Sequence, residues 1–233
     1  ISYKTKNKPF PLKAIGAILR EDLSAIAMLQ ENAIERPQHL DGKTYASYKA
    51  RYEDQIVKEL IRNDGGKGDL NIIYPERLGI WETLLTEKAD ATWVFTNWEG
   101  VLAETEGIEL AYFRLKDYQI PYSYSPVMAV NAERIESQEK VFRSFLKATK
   151  RGFLYTQDHI QEAADILLKH LPENERQMDL EKALSLTAPF YGNNTNWGTM
   201  DSELTASFLK WIRENNLEES NLNSNDLFTN QLL

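Results

Sequence analysis

Short apolar runs and polar breaks alternate along the first half of the chain. Two strand-length apolar runs come first, at residues 12–19 and 25–29. Between residues 43 and 115, strand-like segments alternate with segments whose apolar residues recur at helical spacing. This order predicts a parallel sheet with helices packed on it. The predicted strands are residues 43–47, 69–74, 91–96 and 110–115, and the predicted helices are residues 52–62, 77–88 and 98–107.

The pattern changes after Pro121. Residues 124–131 are typical of a strand, and most of residues 137–169 have a helical pattern. The Asn- and Ser-rich end predicts a surface tail or a capping turn. The whole order indicates an α/β fold, with an α+β domain around a small sheet as the alternative. Two further helices are predicted, at residues 177–188 and 201–215.

Composition excludes several kinds of chemistry. The 233 residues suffice for two small lobes, and the net charge of −8 without a long basic run argues against nucleic acid as a partner. No cysteine is present, which excludes disulfides, zinc–thiolate sites, iron–sulfur clusters and cysteine nucleophiles. No apolar run reaches the roughly 20 residues of a membrane helix. The chain does not begin with Met, which is compatible with removal of a leader.

The sequence carries no recognisable catalytic motif. The histidines, His39, His159 and His170, are far apart in the sequence, and no phosphate-binding loop, zinc-protease motif or nucleophile elbow occurs. Acidic residues such as Glu76 and Asp90 are not paired for acid–base work. We therefore expect no catalytic residue, no metal site and no cofactor.

Binding residues are expected where predicted strands end, because open α/β sheets hold ligands beyond the carboxyl ends of their strands. Ser47, Tyr48 and Arg51 follow the first strand of the alternating region, and Tyr74 and Glu76 follow the second. The third strand end is the aromatic stretch at residues 90–100, which reads DATWVFTNWEG.

Two interpretations of this aromatic stretch remain open. Strand alternation places Trp93 and Phe95 on one face, where a core role is favoured although Trp93 is also a binding candidate. Asn97 is a good helix N-cap, which leaves Trp98 and Glu99 at a helix start near a binding edge. There Trp98 offers stacking to a flat ring and a carboxylate accepts hydrogen bonds from amino groups. Glu99 is equally explained as an acid that the helix dipole favours.

Several segments together resemble one family. They are FPLKAIGAIL leading to SAIAML, HLDGKTYASYKARYEDQIVKELI, KADATWVFTNWEGVLAETEG, SPVMAVN, FRSFLKATKRGFLYTQDHIQEAADILLKHLPE and NWGTMDSELTASFLKWIREN. Their order is similar to that of the NMT1/THI5-like solute-binding proteins of ABC transporters, which bind pyrimidine precursors of thiamine. The resemblance runs from about residue 10 to about residue 217, and the WVFTNWEG segment is its most specific part.

The resemblance implies a type II periplasmic-binding-protein fold with two lobes joined by hinge strands. Residues 1–29 and 121–233 would form the first lobe, and residues 30–120 would be the inserted second lobe. Residues 25–29 and 125–131 would be the hinge strands. In the family the first lobe starts with strands that this sequence lacks, so we expect it to be incomplete.

The resemblance also implies a site for a small aromatic heterocycle. Leu102 stands where the family often has a Glu, which argues against strict aminopyrimidine recognition, whereas Glu104 matches the family pattern. The stretch at residues 121–126 borders the second hinge, so its tyrosines and Ser123 would face the cleft or pack beside it. Trp197 would pack in the lobe or lie on the cleft rim. The resulting ligand-binding candidates are Ser47, Tyr48, Trp93, Asn97, Trp98, Glu99, Glu104, Tyr122 and Tyr124.

The function implied is that of an extracytoplasmic solute-binding protein, periplasmic or anchored as a cell-surface lipoprotein. Its partners would be the heterocycle and an ABC permease, with membrane contact only through the permease or a lipid anchor. One alternative is a pyrimidine-precursor synthase of the same fold. Those enzymes carry a cysteine-rich iron-binding motif, and this chain has no cysteine. A ligand-sensing domain is the other alternative.

Overall fold

The computed structural model of the chain describes residues 1, 3–6, 8–76, 81–122, 124–173, 176–219 and 221–233. The described strands are β1 (Leu12–Ala17), β2 (Ser24–Leu29), β3 (Thr44–Ala46), β4 (Asn71–Ile73), β5 (Ala91–Phe95), β6 (Leu110–Arg114) and β7 (Val127–Asn131). The α-helices are α1 (Glu53–Asn63), α2 (Glu82–Leu85), α3 (Glu99–Thr105), α4 (Glu139–Asp158), α5 (Ile160–Leu168), α6 (Leu180–Thr187), α7 (Ser202–Glu214) and α8 (Ser224–Leu227).

The chain forms two compact units. Unit 1 comprises Ile1–Asp22, Pro121–His170 and Leu184–Leu233, and unit 2 comprises Leu23–Ile120 and Leu171–Ala183. This division differs from the predicted lobes at two places. Residues 23–29 and 171–183 belong to unit 2, whereas the sequence assigned both segments to the lobe that holds the chain ends.

Unit 2 is built on a five-stranded sheet with the order β4-β3-β5-β2-β6. Strand β3 pairs in parallel with β4 and β5, whereas β2 pairs antiparallel with β5 and β6. The prediction of a wholly parallel sheet is therefore wrong. The four predicted strands do share one direction, but β2 lies between β5 and β6 in the opposite direction. All six residues of β2 are buried, because it pairs on both sides within unit 2.

Helices cover the sheet of unit 2 in the places that apolar spacing predicts. Helix α1 buries Ile56, Val57, Leu60 and Ile61, which recur at the three- and four-residue spacing of one helix face. The predicted second helix begins later than expected, at Glu82, and its predicted apolar residue Leu78 lies outside the described residues. A core cluster joins strands and helices through Leu29, Ala46, Trp81, Leu84, Ala89 and Ala103.

Asp179 and Lys182 contact the end of α3 in unit 2. The Asp179 backbone N–H donates to Thr105 Oγ1 at 3.4 Å, and the neighbouring Met178 and Leu180 are buried. An ion pair between Lys182 and Glu104 adds a surface contact. These contacts account for the assignment of this segment to unit 2.

Unit 1 contains a two-stranded sheet in which β1 pairs antiparallel with β7. Of the two alternatives predicted for the C-terminal stretch, the structure has a capped turn rather than a surface tail. Helix α8 begins with a capping box made by Asn223 and Asp226, Phe228 bridges to Ala14 of β1, and Leu232 is buried. The polar composition of this stretch obscured the apolar residues that anchor it. In the part of the chain that the structure describes, no helix has the length and apolarity needed to span a membrane.

Candidate functional site

Three neighbouring parallel strands of unit 2 end at the same side of the sheet. Ala46 at the end of β3 pairs with Ile73 at the end of β4 and with Thr92 of β5, which continues to Phe95. We call this end of the sheet the carboxyl edge, and ligands of open α/β sheets bind beyond such an edge. The residues that follow these strands are Ser47 and Tyr48 after β3, Tyr74 after β4, and Asn97, Trp98 and Glu99 after β5.

A buried carboxylate organises the turn between β3 and α1. Glu53, the first residue of α1, accepts hydrogen bonds from the Tyr45 hydroxyl at 2.8 Å and from the backbone N–H groups of Tyr48 and Ala50, each at 3.0 Å. Its side chain lies at the positive end of the helix, and the residue is only 4% exposed. Glu53 thus fixes the backbone on both sides of Lys49, which has a φ of 60°.

The adjacent acid, Asp54, connects two strand ends. Its Oδ1 accepts a hydrogen bond from Ser47 Oγ at 2.7 Å, and its Oδ2 accepts one from the Tyr74 hydroxyl at 2.6 Å. Ser47 is buried and its Oγ also accepts from the Lys49 backbone N–H at 2.9 Å. Ser47 therefore holds the turn, and its hydroxyl hydrogen is donated within the protein rather than toward solvent.

Exposed aromatic side chains cluster at the carboxyl edge. Tyr48 is 44% exposed, Tyr74 is 49% exposed and Phe95 is 36% exposed, although large apolar rings normally avoid water. They belong to the ends of three adjacent strands, which lie roughly 5 Å apart. Together they give unit 2 an edge that suits a flat apolar ring.

The electrostatics of this edge keep the phenol of Tyr48 neutral. Partial burial, together with the negative charges of Glu99 and Glu53, raises the pKa of Tyr48 to about 12. A neutral phenol both donates and accepts hydrogen bonds. The Lys49 ammonium lies 5.4 Å from the centre of the Tyr74 ring, a cation–π contact that steadies that ring.

The end of β5 places Trp98 and Glu99 at the start of α3. Glu99 is the first helical residue, and its carboxylate accepts the Phe95 backbone N–H at 2.9 Å. Trp98 occupies the N-cap position and is half-buried, so the prediction that Asn97 is the N-cap is wrong by one residue. Thr96 fixes the turn through bonds from its N–H and its Oγ1 to the Leu23 carbonyl, at 3.0 and 3.1 Å.

The two aromatic residues of β5 are less buried than the other residues of the strand. Thr92 and Val94 are buried, with Thr92 Oγ1 bonded to the Ala46 carbonyl at 2.8 Å, whereas Trp93 is half-buried and Phe95 is exposed. The core role expected for Phe95 is therefore wrong.

Two residues that the sequence linked to the site lie elsewhere on α3. Glu104 lies five residues after Glu99, roughly 7.5 Å along the helix axis from the carboxyl edge, and pairs with Lys182. Leu102 packs against the core cluster. Its replacement of a family Glu therefore changes core packing rather than a group at the carboxyl edge.

The two predicted tyrosines of unit 1 contact α7 and its N-cap. The ring of Tyr122 makes an edge-on contact with Phe208 at 5.4 Å between centroids. The Tyr124 hydroxyl accepts the backbone N–H of Asp201, the N-cap of α7, at 2.8 Å. Ser123 lies outside the described residues. Trp197 is buried beside Phe153, 5.9 Å between ring centroids, in the packing role that was one of its predicted alternatives.

Sequence reasoning missed the two acids that shape the carboxyl edge. Glu53 and Asp54 were taken only as part of a helix, although an acidic pair that opens a helix directly after a strand is a recognisable capping signal. The exposure of Phe95 had no such signal. Phe95 is the last residue of β5, whereas Ala91 on the same face of the strand is buried.

Other features of unit 2 lie away from this edge. A cavity of 470 Å³ is lined by residues such as Met28, Lys43 and Asp90, at the opposite end of the strands. Among the residues that the structure describes, no group of three or more His, Asp or Glu side chains is arranged to hold a metal ion.

Comparison with solved structures identifies the fold. The chain is similar to the ligand-binding component of an ABC-type import system from Staphylococcus aureus, a structure that contains zinc. The TM-score is 0.73 at 17% identity, over 99% of this chain and 76% of that one. The fold is that of type II periplasmic binding proteins, as the sequence predicted.

The family follows from the sequence itself. The chain belongs to the NMT1/THI5-like family, whose pattern matches residues 2–163. It is 21% identical to a formylaminopyrimidine-binding protein from Halalkalibacterium halodurans, over 96% of this chain and 69% of that protein. It is also 21% identical to a 4-amino-5-hydroxymethyl-2-methylpyrimidine phosphate synthase from Legionella pneumophila, over 98% of this chain and 71% of that protein. The predicted family resemblance is confirmed.

Proposed function

We propose that the protein is the solute-binding component of an ABC importer and captures a small aromatic heterocycle such as an aminopyrimidine. The observation that carries the proposal is the set of exposed rings at the carboxyl edge of unit 2. Tyr48, Tyr74 and Phe95 lie there on three adjacent strands, next to the acids Glu53, Asp54 and Glu99. Family membership supports it, since one relative is named for binding a formylaminopyrimidine.

The chemistry of the edge suits a ring that carries amino groups. Flat rings gain from stacking on aromatic side chains, by about 0.5–1.5 kcal/mol beyond the area they bury. Carboxylates only accept hydrogen bonds, so Glu99 favours a solute that donates. The site proposed here consists of the exposed rings Tyr48, Tyr74 and Phe95 together with Trp98 and Glu99, and Ser47 and Asn97 support the turns. It leaves out Glu104, and it assigns packing roles to Trp93, Tyr122 and Tyr124.

A second candidate function is favoured by one observation, the similarity to a pyrimidine phosphate synthase. We favour binding over synthesis, because the chain has no cysteine for the iron-binding motif of the related enzymes and no catalytic constellation stands out at the carboxyl edge among the described residues. Incubation of the protein with candidate pyrimidine precursors, followed by chromatography, tests this preference. Formation of a pyrimidine product would reverse it.

The remaining parts of the proposal follow from the class of protein. The partner would be an ABC permease, and the location would be outside the cytoplasm, with a lipid anchor as one way to hold the protein at the membrane. We also propose two lobes, in which unit 2 corresponds to the predicted inserted lobe and unit 1 to the predicted first lobe.

Substitution of Trp98 tests the site. The Trp98→Ala variant should bind an aminopyrimidine more weakly by roughly 2- to 12-fold, the equivalent of one lost stacking contact. The control is Tyr155→Ala, which removes an exposed ring from α4 in unit 1, away from the carboxyl edge. Calorimetry should show a loss of affinity for Trp98→Ala alone. Equal affinities for both variants and the wild type would remove Trp98 from the site.

A further inference from the structure

Three successive backbone N–H groups at the turn after β3 are bound by side chains of the same turn. The Tyr48 and Ala50 N–H groups donate to the two carboxylate oxygens of Glu53, and the Lys49 N–H donates to Ser47 Oγ. Lys49 has a left-handed φ of 60°, and the N–H groups of the residues on either side of it meet on the Glu53 carboxylate. The turn is therefore a nest of amide donors with its own acceptors inside.

Nests of this kind, placed before a helix, usually bind anions from solution. The converging N–H groups and the positive end of the helix dipole favour phosphate, sulfate or carboxylate groups. Here the anion belongs to the chain, since Glu53 is the first residue of α1 and is 4% exposed. A third donor, the hydroxyl of the fully buried Tyr45, completes its hydrogen bonds at 2.8 Å.

We propose that Glu53 is a specificity-determining residue that fills the amide nest at the carboxyl edge, so that oxyanionic solutes find no backbone donors there. The inference rests on the proposed function only in taking this edge as the solute site. With the nest occupied, the turn offers a solute the ring and hydroxyl of Tyr48 in place of main-chain N–H groups. Neutral or amino-bearing rings are then accepted, and sulfonates or phosphates are rejected.

Removal of Glu53 should have a different effect if Glu53 is only a helix cap than if it is an anion that fills the nest. The charged groups around the turn are the cations Lys49 and Arg51 and the acids Asp54 and Glu99. When Glu53 is truncated, the nest loses its negative occupant while both neighbouring cations remain. The emptied nest should then bind an external anion, whereas loss of an ordinary cap would only lower stability.

Thermal unfolding of Glu53→Ala in the presence of acetate is the test. Acetate replaces the atoms that the substitution removes, so it should stabilise this variant in a saturable way. At ten times its dissociation constant it would raise the folding equilibrium constant about 11-fold. Two controls should show no such effect. Glu53→Gln keeps an uncharged side chain of the same size in the nest, and Asp54→Ala removes an adjacent acid that accepts hydrogen bonds from the hydroxyls of Ser47 and Tyr74.

An equal acetate effect on all variants, or none on Glu53→Ala, would overturn the proposal. If Glu53→Ala does not fold, NMR of the wild-type protein tests whether the nest is filled. The Tyr48 and Ala50 amide protons should exchange slowly and keep their chemical shifts when sulfate is added, and sulfate-dependent shifts would contradict a filled nest. Neither measurement uses a heterocycle, so failure of the proposed function and failure of this inference are distinguishable.

Discussion

The buried hydroxyl of Tyr45 gives a sharp test of how the carboxyl edge is built. Tyr45 is fully buried on β3 and donates to Glu53 at 2.8 Å, beneath the turn that carries Tyr48. Tyr45→Phe removes this donor and leaves the shape of the ring unchanged. Glu53 keeps its two backbone donors, so the variant loses one hydrogen bond to a charged group without exposing an orphaned charge.

The expected cost follows from the burial of both partners. A hydrogen bond to a charged group contributes about 1.5–3 kcal/mol, and no water reaches this site to replace it. For a chain of this size that corresponds to a fall in Tm of roughly 3–12 °C. The matched variant Tyr74→Phe removes a hydroxyl that also bonds to an acid, Asp54, but on a side chain that is 49% exposed. Because water substitutes for this bond, Tyr74→Phe should cost less than about 1 kcal/mol.

Urea unfolding of both variants, followed by circular dichroism, measures the difference. Tyr45→Phe should lower the free energy of unfolding by clearly more than Tyr74→Phe. If Tyr45→Phe is as stable as the wild type, or if the exposed variant loses as much, Glu53 does not depend on the buried donor and the argument for a fixed turn fails.

Three further outcomes are expected. In Tyr48→Phe, spectrophotometric titration should show one phenol transition fewer near pH 12 than in the wild type, and an unchanged titration would contradict this. Because the pKa of Tyr48 in the folded protein lies above the ordinary value, the contribution of Tyr48 to stability falls as pH rises from about 10 to about 12. Leu102→Glu should lower the free energy of unfolding by about 1–3 kcal/mol in urea, because it places a carboxylate against the core cluster. A gain in solute affinity with no loss of stability would place residue 102 in the site. Glu104→Gln should leave solute affinity within about twofold in calorimetry, because the residue pairs with Lys182 at the far end of α3; a tenfold loss, about 1.4 kcal/mol, would return Glu104 to the site.

The sequence pattern predicted the helices and strands that depend on interactions within short segments. Helix α1 and strands β3 and β5 lie within two residues of their predicted bounds, because apolar spacing and glycine stops are properties of short segments. The strands that pair with β2 could not be predicted from local pattern. A run that is buried on both faces has no alternation, so its pattern says nothing about direction or pairing.

The sequence predicted which residues follow the ends of the strands, but it did not predict how the turn after β3 is built. Parallel strand order places Ser47, Tyr48, Trp98 and Glu99 at one edge, as the strand ends implied. The hydrogen bonds of Glu53 within the turn depend on a left-handed residue that no periodicity reveals. Residue-level roles in solute binding stay predictions.

Isothermal titration calorimetry of the unmodified protein tests the central claim most directly. The titrants are an aminopyrimidine, thiamine, riboflavin and methanesulfonate. A flat heterocycle should bind saturably with a negative heat-capacity change, which marks burial of apolar surface, and methanesulfonate should give no heat of binding. Binding of the sulfonate with no response to any heterocycle would contradict the account.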